Sequence, residues 1–172
     1  MIIMKLKKIL LLILAIILVG CTNKQTDAIK FKKEYESYNK SNIKLEIDDD
    51  NIIKYKTTEE INKIIKNKSG VIFIGNPKDN LSRTSIRLLL DAADSTDLKD
   101  IYYIDSIKNI NLNIDKPKIP IVLNILKGRI VSYHIGTIND KEELSESDEL
   151  ELYNIYTDGI HEVLQDTCDE EC

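Results

Sequence analysis

The sequence holds only two histidines and three cysteines, and neither type is grouped as metal chemistry requires. His134 and His161 stand apart, with no cysteine or carboxylate at ligand spacing. A structural place for each is the plainer reading, and no metal ion is expected. No glycine-rich phosphate loop and no Ser-His-Asp order can be read, so no cofactor is expected either. Positive charge is scattered and outnumbered as well. The formal net charge is -5, and without Lys5, Lys7 and Lys8 of the opening segment 21 bases face 29 acids, a net of -8. Such a chain offers no electrostatic footprint for a phosphate backbone, which excludes nucleic acid as a partner. No internal repeat is present. Long apolar runs are limited to residues 9–19, a stretch too short to span a bilayer comfortably.

What is present fits one folded domain. The 172 residues are 42% hydrophobic and 31% charged, enough to bury a core and unlike a disordered chain. The opening segment has the order of an export signal: three lysines, the apolar run, then a small residue before a cysteine. Its end, Leu18-Val19-Gly20-Cys21, resembles the lipobox of bacterial lipoproteins. The resemblance implies cleavage of residues 1–20 and diacylglyceryl transfer to Cys21, with the chain held by lipid on the extracytoplasmic side of the cell membrane. The competing reading is an uncleaved signal anchor with a chance cysteine. Residues 21–42 are polar and lysine-rich, with Phe31 and Tyr35 four apart. They read mainly as anchor and tether, with a short helix as the alternative. The domain proper is expected over 43–172.

Within that domain the residue pattern alternates strand and helix. Residues 43–47 and 52–55 read as an edge strand around an acidic turn. Thr57 and Glu60 form a capping-box pattern ahead of Ile61, Ile64 and Ile65, which predicts a helix to about residue 68. Val71-Ile72-Phe73-Ile74 is a continuous apolar run, the mark of a central strand covered on both faces. A second helix follows Pro77, with Leu81, Ser85, Leu88, Leu89 and Ala92 on one side. Residues 101–105 predict another strand and 106–118 an irregular segment. Two strands then flank a Lys127-Gly128 turn. Leu152, Tyr153, Tyr156, Ile160, Val163 and Leu164 mark a final amphipathic helix. The acids between Glu142 and Glu151 read as a solvated turn and helix start.

This order resembles the thioredoxin family over residues 43 to 165. Val71-Ile72-Phe73-Ile74-Gly75-Asn76-Pro77 is similar to the strand entering the family's active site, and Ile101-Tyr102-Tyr103-Ile104-Asp105 to the strand that follows. Ile119-Pro120 resembles the family's cis-proline position. Ile125-Leu126-Lys127-Gly128-Arg129-Ile130-Val131 is similar to its hairpin, with Gly136 beyond. The resemblance implies an α/β fold, a thioredoxin-like three-layer α/β/α sandwich with a mixed sheet. It also implies a site at the start of the second helix, where helix dipole and free N–H groups favour a thiolate. Here Asp79 and Ser82 take the places of the two family cysteines. Neither side chain undergoes thiol–disulfide exchange, so thioredoxin-type oxidoreductase activity is not expected at residues 79–82.

What the resemblance leaves is a peptide groove, in which a partner's extended backbone pairs with the residue before the proline. Pro77, Asp79, Ile119 and Pro120 are the candidate binding residues, and a protein or peptide is the expected partner. Asp79 has a plainer reading as a helix N-cap. Cys168 and Cys172 are four apart in an acidic tail. They read as a terminal disulfide, as a redox pair, or as free thiols, and two thiols with no nearby histidine fall short of a metal site. The enzymatic alternative is a thiol–disulfide exchange protein using that pair. Three neighbouring carboxylates disfavour its thiolate.

Overall fold

The computed structural model describes residues 25–38, 45–47 and 52–165. Its elements run α1 (Asp27–Tyr38), β1 (Ile53–Tyr55), α2 (Thr58–Asn67), β2 (Gly70–Ile74), α3 (Asn80–Ser95) and β3 (Ile101–Ile104). They continue with β4 (Ile121–Leu126), β5 (Arg129–Ile135), a 3-10 turn (Ile138–Asp140) and α4 (Glu146–Leu164). The five strands form one mixed sheet in the order β1-β3-β2-β4-β5. β3 lies parallel to both β1 and β2, whereas β4 is antiparallel to β2 and to β5. The fold class is α/β.

The apolar run of β2 alternates between two cores. Val71 and Phe73 enter a cluster with Phe31 and Tyr35 of α1, Ile86 and Leu89 of α3, and Leu152, Tyr156 and Ile160 of α4. Ile72 and Ile74 point the other way, into a cluster with Ile61 and Ile64 of α2 and with Ile121, Leu123 and Ile125 of β4. Period-two alternation therefore places successive residues under different helices, and all four side chains are fully buried. Each contributes about 1.5–3 kcal/mol by leaving water. On the second face no helix spans residues 106–118. Ile107, Ile110, Leu112 and Ile114 pack there from irregular chain instead.

Local chemistry sets the helix starts. Glu60 N–H donates to Thr57 Oγ1 at 3.3 Å while Thr57 N–H donates to Glu60 Oε2 at 2.8 Å, a reciprocal capping box for α2. Ser145 and Asp148 form the same box for α4. The hairpin turns on Lys127 (φ 48) and Gly128 (φ 75), two left-handed positions that match the twist of the flanking strands. A side chain at Gly128 would lie 2.1 Å from the Lys66 carbonyl oxygen, so glycine is required there. The Ile119-Pro120 peptide bond is cis.

Three sequence expectations are corrected. Residues 27–38, read mainly as tether, form α1, and Ala28, Phe31 and Tyr35 are buried in the first core. The Phe31 ring stacks on Tyr35 at 4.1 Å and meets Tyr103 edge-on at 4.8 Å. The segment's overall polarity masked a stripe only three residues deep. The edge strand is confined to Ile53–Tyr55: residues 45–47 join no ladder, and 43–44 and 48–51 lie outside the described residues. On α3 the buried stripe takes in Ser82, Ile86, Leu90 and Ala93 beyond the expected set, because α4 packs along the helix and Ile86, Leu90 and Ala93 join the first core, whereas Leu81 is only half-buried.

Candidate functional site

The site lies where β2 ends. Gly75 N–H donates to the Ile104 carbonyl at 3.2 Å, which carries the β3 pairing one residue further. The Gly75 carbonyl oxygen accepts two hydroxyls, Tyr35 at 3.0 Å and Tyr103 at 3.1 Å. Burial pushes both phenols well above their usual range, so they remain protonated donors. Two fixed donors on one oxygen hold the exit of β2 in place before the chain turns.

Asn76 makes that turn. Its carbonyl accepts from Asp79 N–H and its side-chain Oδ1 from Lys78 N–H, both at 2.9 Å. Asp79 is extended (φ -91, ψ 128) and caps α3. Its Oδ2 accepts from the Ser82 N–H and from the Ser82 hydroxyl, each at 2.7 Å. Ser82 is fully buried, and its Oγ accepts in turn from Asn76 N–H at 3.1 Å. Arg83 Nη1 donates to the Pro77 carbonyl at 2.6 Å. The arrangement is a closed loop of hydrogen bonds in which the Asp79 and Ser82 N–H groups at the helix start are met from within. No histidine stands in it, and the Ser82 hydroxyl is engaged on both sides.

Ile119 and Pro120 belong to the same end of the sheet. The β2–β4 register sets Ile74 opposite Ile121, so Pro120 and Gly75 occupy the next positions on adjoining strands. Pro120 is buried, Ile119 is half-buried, and the Pro120 carbonyl accepts from Gly136 N–H at 2.8 Å. The fold thus brings Pro77, Asp79, Ser82, Ile119 and Pro120 to one end of one sheet. Three residues complete it that the sequence reading did not single out: Asn76, Tyr35 and Tyr103. The i, i+4 rings of α1 were visible as a pattern, but their target, a carbonyl forty positions away, was not.

The acidic stretch also reaches the site. Glu142 accepts from Asn80 through its side chain at 2.6 Å and from Thr84 through its carbonyl at 2.9 Å, so it ties the turn before α4 to the first turns of α3. His134 is half-buried with its ring edge-on to Tyr156 at 5.9 Å. Its Nε2 is buried without a hydrogen-bond partner among the described residues, and burial pushes its pKa down. His161 is exposed on α4. Among the described residues no three His, Cys, Asp or Glu side chains gather as a metal site, and no helix is long and apolar enough to cross a membrane. Cys21, Cys168 and Cys172 lie outside the described residues.

Comparison with protein-family models, with curated proteins and with solved structures finds no match.

Proposed function

We propose that the chain is a lipid-anchored, thioredoxin-fold envelope protein that binds an extended segment of a protein partner and performs no thiol–disulfide exchange at its helix-start site. The anchor rests on the lysines at 5, 7 and 8, the apolar run over 9–19 and the Leu18-Val19-Gly20-Cys21 motif. The fold assignment rests on the order of strands and helices, on a mixed sheet covered on both faces, and on the Ile119-Pro120 segment beside the end of β2. One observation carries the functional reading: oxygen, not sulfur, caps α3 at Asp79 and Ser82, and the two groups satisfy each other. With chemistry removed, the half-buried Ile119 at the start of β4 supplies main-chain groups for pairing with a partner strand.

The test is site-specific photo-crosslinking in the native envelope. A photoreactive residue at position 119 is expected to give a discrete protein adduct, and one at the exposed position 63 on α2 to give none. Equal adduct patterns from both positions, or reduction of insulin by the protein unless Cys168 is changed to Ser, would overturn the reading.

A further inference from the structure

Charge is distributed unevenly along this acidic chain. Residues 22–44 carry six lysines against three acids, whereas residues 45–172 carry 15 bases against 26 acids. Helix α1 lies within the basic portion. Its three carboxylates are turned toward the domain as hydrogen-bond acceptors. Asp27 takes the Tyr55 N–H at 3.1 Å, Glu34 the Tyr55 hydroxyl at 2.7 Å and Glu36 the Leu45 N–H at 3.3 Å. Its lysines are not so used. Lys30 and Lys33 are exposed and Lys32 is half-buried. Among the described residues none of the three is in an ion pair, and Lys30 lies over the Tyr55 ring at 4.1 Å. The helix thus turns its carboxylates toward the domain, while Lys33 faces outward and Lys30 stays exposed beside the Tyr55 ring.

The distance to the anchor is short. Six residue steps separate Cys21 from Asp27, so even a fully extended chain reaches no more than about 20 Å. Because α1 is packed into the core, that length is all the tether there is ahead of the domain.

We propose that the outer face of α1, presenting Lys30, Lys32 and Lys33, seats on anionic phospholipid headgroups as a second membrane contact beside the lipid on Cys21. This rests on the anchor proposed above. Each lysine brought to such a surface raises partitioning roughly fivefold, and an acyl anchor next to a basic patch is the pairing that makes membrane attachment stable. Docking also fixes the candidate groove near the bilayer, since Tyr38 at the end of α1 lies 5.8 Å from Lys78 Nζ in the turn before α3.

The experiment is amine-acylation footprinting of the lipidated protein in vesicles, read by mass spectrometry. Neutral phosphatidylcholine vesicles are compared with vesicles holding about one phosphatidylglycerol in three lipids. On the anionic vesicles Lys30 and Lys33 are expected to react severalfold more slowly at about 0.1 M salt and to recover at about 1 M, where screening is complete within a few ångströms. Lys66 and Lys68, on the far side of the sheet at the end of α2, are expected to react alike on both. The double variant Lys32→Glu, Lys33→Glu is expected to return Lys30 to its neutral-vesicle rate. Equal rates for Lys30 and Lys33 on the two surfaces, or protection of Lys66 and Lys68 in their place, overturn the proposal. The mass of the N-terminal peptide reports the lipid separately. If Cys21 carries none, the anchor reading falls, and the same footprint on the unlipidated chain still decides whether α1 docks.

Discussion

The Tyr35 hydroxyl donates to the Gly75 carbonyl oxygen at 3.0 Å, a bond that joins the first described helix to the exit of the central strand. It makes α1 part of the site's support. It also turns the question of where the tether ends into a measurable one.

A tether would tolerate loss of its rings; a core helix does not. Phe31→Ala is expected to destabilise the chain by about 3–5 kcal/mol, the usual cost of emptying a buried aromatic site. Tyr35→Phe keeps the ring stack and removes one of two donors to Gly75, a loss of about 1 kcal/mol. Urea unfolding of the two variants checks both, and an unchanged midpoint for Phe31→Ala would return residues 27–38 to the tether.

Asp79 and Ser82 share one hydrogen-bond loop, so their losses are expected not to add. Asp79→Ala removes an N-cap at about 1 kcal/mol, and Ser82→Ala orphans the Asn76 N–H at a similar cost. The double variant should cost less than the sum, with a coupling energy of about 0.5 kcal/mol or more in a double-mutant cycle. Asp79→Asn keeps the cap and removes the charge. Unchanged stability with a weaker adduct from position 119 would assign the carboxylate to recognition.

Gly159 sits in the middle of α4 although glycine is a poor helix residue. A side chain there would lie 2.0 Å from Asn124 Nδ2 on β4. Gly159→Ala is therefore expected to destabilise by about 1–3 kcal/mol through overpacking, against the gain of up to about 1 kcal/mol that alanine brings to an open helix. A rise in the thermal midpoint would contradict the close helix–sheet contact.

Two groups, one charged and one neutral in the folded chain, both have lowered pKa values and so give the same direction of pH dependence. The Lys141 side chain, with Ser145 behind it, holds the Asp148 carboxyl down at about 2. Its stabilising contribution is complete above the ordinary carboxylate range and is lost as pH falls from about 5 toward 2. Asp148→Asn should flatten the acid limb of the thermal midpoint over that interval.

His134 is held neutral by burial, with Glu151 and Asp140 pulling weakly the other way. Its folded pKa lies below the unfolded value near 6.5, so stability is full above about pH 7 and falls as the unfolded chain takes up the proton. The imidazole is expected to titrate below 6.5 by NMR. His134→Phe, which keeps the edge contact with Tyr156, should reduce the loss between about pH 7 and 5.

Much of the framework was legible because local chemistry and periodicity agree at those places. Val71 to Ile74 reads as a two-faced strand, Thr57 and Glu60 as a capping box, and Lys127-Gly128 as a turn; each stands there in the structure. α1 was harder to read because its buried stripe is only Ala28, Phe31 and Tyr35, set among charges. Whether such a stripe packs depends on a complementary surface, and Tyr55, Phe73 and Tyr103 come from three different strands.

The sequence by itself determined the alternation of strands and helices, the acidic balance of the domain and the absence of sulfur at residues 79 and 82, since these are properties of residues and near neighbours. Tertiary structure alone decided which distant polar groups answer one another: Tyr35 and Tyr103 with Gly75, and Pro120 with Gly136. Hydrogen bonds between distant segments leave no periodic trace in the chain. They exist only once sheet register and helix packing have brought their donors and acceptors within reach.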